Sequence, residues 1–97
     1  MTNGERTRIT KTIDALAKVG WTLSAAWTIG TDIRTTMENI EAFGDAWIYF
    51  RNVECPGRRL GIFVVLGNAP DGSEVIADNH CPEDRPEFNQ AIESVLP

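Results

Sequence analysis

Three apolar runs follow one another with very little chain between them, and nothing else in the sequence constrains the fold as tightly. "DAWIYFRNV" at 45–53, "LGIFVVLG" at 60–67 and "EVIAD" at 74–78 carry the aromatic and β-branched residues that suit a pleated, half-buried surface. The segments that part them, "ECPGRR" and "NAPDGS", are turn sequences punctuated by Pro56-Gly57 and Asp71-Gly72. Connections this short join antiparallel neighbours, because a parallel crossover needs about a dozen residues. The stretch therefore predicts a three-stranded meander. Its middle run is apolar on both faces, the pattern of a central strand covered from two sides.

A fourth strand is predicted upstream. In "WTLSAAWTI", residues 21–29, Trp21, Leu23, Ala25, Trp27 and Ile29 alternate with Thr22, Ser24, Ala26 and Thr28. One face is apolar and the other polar or small, as in a half-buried strand. Trp21 and Trp27 then belong to the core.

Helical periodicity fills the rest. Ile9, Ile13, Leu16 and Ala17 recur at helical spacing within 5–19, Thr2 or Asn3 offers a cap, and Gly20 a stop. Ile33, Met37, Ile40 and Phe43 make a second stripe over 33–43, with Thr35 and Glu38 at capping-box spacing and Gly44 closing it. A hairpin of "AAWTI" with "DIRTT" across Gly30 is the rival reading of that region. At the end, Asp84 is placed to cap a helix with Pro86 in its first turn, Glu87 completing the box, and Phe88, Ala91, Ile92 and Val95 as its apolar stripe.

The order α-β-α-β-β-β-α predicts an α+β domain: a four-stranded, mainly antiparallel sheet with helices packed on one face. With 97 residues and no linker-like stretch, residues 1–97 are expected to form one domain. A chain this short needs its large apolar residues for the core, which leaves little room for a deep substrate pocket.

Charge narrows the function. Nine basic against fourteen acidic residues give a net charge of −5, the reverse of the balance that phosphate neutralisation requires. The local basic groups, Arg6, Arg8 and Lys11 near the start and Arg58-Arg59 in the middle, are small. A partner protein with a basic surface is the expectation, ahead of nucleic acid. "MTNGERTRITK" has no apolar segment of signal-peptide type, and no run approaches a membrane span. Two cysteines at no recognised spacing read as reduced thiols, so a cytoplasmic location is expected.

One stretch invites chemistry. "EVIADNHCPEDRPEF", 74–88, holds the sole histidine, His80, beside Cys81. The meander brings Asp78, His80 and Cys81 to the same rim as the turn carrying Cys55. A zinc site or a thiol enzyme built on Asp78, His80, Cys81 and Cys55 is thus the enzymatic alternative. Against it, no CxxC or HxxxH pair is present, and neighbouring side chains at 80 and 81 do not readily converge on one ion. A disulfide between Cys55 and Cys81 is a further alternative. No metal or other cofactor is expected. "GNAPDG" joins two strands and lacks the lysine and helix of a phosphate loop.

A surface site is the stronger expectation. If Ile48 and Phe50 are core, alternation turns Trp47, Tyr49 and Arg51 to the other face, as a stripe of the residue types that dominate binding hot spots. Arg58 and Arg59 in the adjoining turn would extend it. Glu38, Glu41 and Asp45 would set orientation and association rate.

At "AWIYFRN", "IFVVLGN" and "EVIADNH" the second half of the chain resembles small accessory proteins carried by phages and plasmids. Small acidic proteins that bind and block host defence complexes, anti-CRISPR proteins among them, are common in that group. The resemblance implies a non-catalytic inhibitor that covers a partner's surface. It assigns no role to any single residue.

Overall fold

The computed structural model describes residues 1–25 and 30–96. Its elements run α1 (Asn3–Lys18), β1 (Thr22–Ala25), α2 (Ile33–Phe43), β2 (Asp45–Arg51), β3 (Arg59–Val65), β4 (Ile76–Asn79) and α3 (Pro86–Glu93). The α+β order read from the sequence is the order observed. Trp27 and Ile29, expected in the first strand, lie outside the described residues. No helix among the described residues is long and apolar enough to cross a membrane.

The strands form one antiparallel sheet in the order β1-β2-β3-β4. β2 and β3 pair along their whole length, from Asp45 opposite Val65, through Ile48 opposite Ile62, to Arg51 opposite Arg59. Register shifts interrupt β1 between Leu23 and Ala25, and the β3–β4 pairing between Phe63 and Val64. Alternation along β2 and β3 sends Ala46, Ile48, Phe50, Leu60, Ile62 and Val64 to one face, all buried. There they meet Ile9, Ile13 and Leu16 of α1, Met37 and Ile40 of α2, and Phe88, Ala91 and Ile92 of α3. All three helices therefore cover the same side of the sheet.

Local chemistry fixes the helix ends. Thr2 caps α1 in a full capping box, its hydroxyl accepting from the Glu5 amide while Glu5 Oε1 accepts from the Thr2 amide. At the other end, the Gly20 amide donates to Ala17 and the Trp21 amide to Leu16. That paired closure needs a left-handed residue, which Gly20 provides at φ 92°. Trp21 is delivered straight into the core, fully buried, with its ring edge-on to Phe88 and its Nε1 donating to Glu87 Oε2 at 2.7 Å.

Two expected caps are corrected. Asp32, not the Thr35–Glu38 pair, caps α2, its Oδ1 accepting from the Arg34 and Thr35 amides. Asp32 stands in extended backbone just before the first turn, where a short acceptor reaches the free amides. Asp84 does not cap α3. The N-cap is Arg85, which makes no side-chain capping bond, and Asp84 instead pairs with Arg58. Glu87, expected to complete that box, is held by Trp21.

A second difference concerns β3, which was expected to be covered on both sides. Its helix-facing residues are buried, but Phe63 and Val65 on the other face are only half-buried. Among the described residues, the helices pack on the opposite face.

Candidate functional site

The helix-free face of the sheet presents a compact group of rings. Trp47 stands on β2, opposite Phe63 on β3, with centroids 5.3 Å apart. Tyr49, two residues along β2, lies nearly parallel to Trp47 at 6.3 Å and 18°. His80, just past the end of β4, stacks on Trp47 at 5.2 Å and 23°. All four rings are half-buried.

Gly61 makes room for them. It sits opposite Tyr49, and a Cβ there would come within 3.0 Å of the Tyr49 ring and 3.1 Å of Trp47 Cε3. The missing side chain lets both rings lean across the strand. Gly61 also fixes the histidine: its amide donates to His80 Nδ1 at 2.9 Å, and its carbonyl accepts from the His80 amide at 3.0 Å. With Nδ1 accepting, the proton of the neutral ring is placed on Nε2.

Charges lie at the ends of the cluster. Arg51 and Arg59 face each other across β2 and β3, an arrangement that repels. Both are exposed, and neither guanidinium has an acidic partner among the described residues. At the opposite end of β2, Asp45 occupies the same face and is exposed. Asp78, also exposed, lies opposite Phe63 on β4. The face is therefore basic at one end, aromatic in the middle and acidic at the other.

Of the eight residues expected to bind, Trp47, Tyr49, Arg51, Arg59 and Asp45 share this face. The other three are placed elsewhere. Arg58 turns to Asp84, whose carboxylate holds the guanidinium pKa above its ordinary value and is itself held below the carboxylate range by that contact. Glu41 on α2 accepts from Arg6 at 2.8 Å and lies 3.8 Å from the N-terminal ammonium. Glu38 is exposed on the same helix. The expected basic group of Arg6, Arg8 and Lys11 is divided in the same way, since Arg6 is spent on Glu41.

The two segments expected to share a rim, one carrying Cys55 and the other Asp78, His80 and Cys81, adjoin. His80 pairs with Gly61 near the start of β3, and Arg85 reaches Glu54 at 3.7 Å. The chemistry does not converge there. His80 turns to the ring cluster, whereas the Cys81 thiol lies 3.3 Å from Asn79 Nδ2 and 3.3 Å from Asn89 Oδ1. Both cysteines are free thiols, and no three metal-ligating side chains cluster among the described residues. An open groove of about 530 Å³ lies between α1 and α3, lined by Lys11, Asp14, Lys18 and Val95 among others.

Sequence reading missed Phe63, Gly61 and the ring role of His80. Alternation marks Phe63 as facing away from Ile62, but its position opposite Trp47 depends on the register of the 52–58 turn. Nothing in "DNHC" distinguishes a stacked histidine from a ligand. Comparison with known protein families, with curated proteins and with solved structures finds no match to the chain.

Proposed function

We propose that this chain is a small, acidic, non-catalytic protein-binding domain that lays the helix-free face of its sheet on another protein. One observation carries the reading. A half-buried cluster of Trp47, Tyr49, Phe63 and His80 adjoins two opposed arginines that have no acidic partner among the described residues, on the sheet face opposite the helices. Aromatic and Arg side chains supply much of the binding energy at protein interfaces, since they bury large areas while still making directed polar contacts. Repulsion between Arg51 and Arg59 is relieved when a partner supplies an acceptor.

The net charge of −5 favours a target whose wider surface is basic, because complementary fields speed encounter. As that target we propose a host defence complex, blocked by occlusion, on the resemblance of "AWIYFRN", "IFVVLGN" and "EVIADNH" to phage- and plasmid-borne accessory proteins. Rings that stack on one another offer few free faces to nucleobases, which agrees with the charge in favouring protein over nucleic acid.

Capture from a host extract, read by mass spectrometry, tests the reading. The parent protein should retain a target that Tyr49→Ala loses and Glu38→Ala keeps. Equal retention by Tyr49→Ala and the parent, with both folded, would exclude this face as the binding surface.

A further inference from the structure

The charge layout of the open face makes it complementary to itself. On β2, Asp45, Trp47, Tyr49 and Arg51 follow one another along the same side, and β3 places Val65, Phe63, Gly61 and Arg59 beside them in turn. β4 adds Asp78 beside Phe63, and His80 beside Gly61. The midpoint of this pattern is the Ile48–Ile62 pair.

Two copies can lie face to face with a two-fold axis between the sheets. If the axis runs along the strands, Arg51 and Arg59 of one copy meet Arg51 and Arg59 of the other, and four positive charges oppose one another. If it runs across the strands, Asp45 of one copy meets Arg51 of the second. Trp47 then lies over Tyr49 of the second copy, and Asp78 over the position of its His80. Arg59, beside Arg51, stands within side-chain reach of the same Asp45. Sheets packed in this way cross at about 30°, which displaces groups about 10 Å from the centre by roughly 5 Å. An arginine side chain spans that offset.

We infer that this face, in the absence of its target, is closed by a second copy of the chain, in a two-fold dimer whose axis crosses the strands. The inference rests on the reading of the face as a binding surface and adds its regulation: the dimer must open before the target can bind. Size sets the strength. Two strands of seven residues and two of four, at about 3.3 Å per residue and about 4.8 Å spacing, give a plane of roughly 350 Å² per copy. The total, about 700 Å², lies below the roughly 1,200 Å² at which stable specific interfaces begin, in the range of weak, transient ones. The dimer is accordingly reversible and concentration-dependent.

Sedimentation equilibrium of the parent across concentration and salt is the first measurement. A monomer–dimer equilibrium that weakens with added salt is expected. The decisive measurement uses two charge-swapped variants, Arg51→Asp with Arg59→Asp, and Asp45→Arg with Asp78→Arg. Each alone should weaken self-association about tenfold or more, since like charges then meet across the interface. Mixed one to one, they should form a heterodimer of near-parental affinity. A mixture that stays monomeric, or a parent dimer indifferent to both swaps, overturns the inference. Should either variant fail to fold, dilution of the parent under NMR still decides: resonances of Trp47 and Tyr49 should shift with concentration, and invariance overturns the dimer. A strictly monomeric parent removes self-association while leaving target capture by Tyr49→Ala to judge the binding reading separately.

Discussion

Glu5 shows how much one side chain can hold. It is 2% exposed and has no cationic side-chain partner among the described residues, yet both carboxylate oxygens are satisfied, Oε1 by the Thr2 amide and Oε2 by the Gly67 amide at 2.8 Å each. It thereby ties the start of α1 to the turn between β3 and β4. The Thr2 amide first, then the Gly67 amide, hold its pKa below the ordinary 4.5, against the upward push of burial. Because the folded-state value is the lower one, the ionised group stabilises the fold above the ordinary value. That stabilisation is lost as pH falls through the depressed one. Glu5→Gln places an NH₂ against an N–H donor and should cost about 1–3 kcal/mol at neutral pH. Urea denaturation between pH 6 and pH 3 checks the linkage: the parent should lose more stability than Glu5→Gln. Parallel pH profiles would mean that Glu5 is not the titrating contact.

At the scale of elements, the two acidic residues before helices have different tasks. Asp32→Ala should cost about 1 kcal/mol, the usual loss of a side-chain cap. Asp84→Ala removes only an exposed ion pair with Arg58 and should lower the melting midpoint less. The reverse order of the two midpoints would restore Asp84 as a cap. A close approach also joins elements at Gly4, where a Cβ would fall 2.6 Å from the backbone of Pro70 and Asp71, so α1 begins pressed against the 69–72 turn. Within the sheet, Gly61→Ala puts a methyl group 3.0 Å from the Tyr49 ring and 3.1 Å from Trp47, so the rings must shift to admit it. The near-UV circular dichroism of the ring cluster should change while the far-UV spectrum is kept. An unaltered near-UV spectrum would show that the rings do not lean over Gly61.

For the whole molecule, the two sheet faces differ in what covers them, and neighbouring residues of β2 test the difference. Ile48 is fully buried beneath the helices, so Ile48→Ala should cost about 2–5 kcal/mol. Tyr49→Ala should leave the fold intact and cost much less in stability, while weakening target binding by about 1–3 kcal/mol. Chemical denaturation and a binding titration on the same two variants measure both effects. If Tyr49→Ala unfolds the chain and Ile48→Ala does not, the faces have been exchanged.

The sequence by itself determined the element order and the meander, because periodicity and short turns are local properties, while alternation set Ile48 and Phe50 against Trp47 and Tyr49 without saying which side is buried. Residues 33–43 became α2 with the expected bounds, since a stripe from Ile33 to Phe43 and a closing Gly44 act within a few turns of chain. What only the tertiary structure decided is which side chains meet. Asp84 prefers a guanidinium from a turn 26 residues away to the helix beside it. Glu87 is taken by Trp21, and His80 is drawn from Cys81 toward Trp47 by the Gly61 amide. Each of these choices pits a local hydrogen bond against a distant partner. The distant partner becomes available only once the register of β2, β3 and β4 is set, and that register is a property of the packed sheet rather than of any one segment.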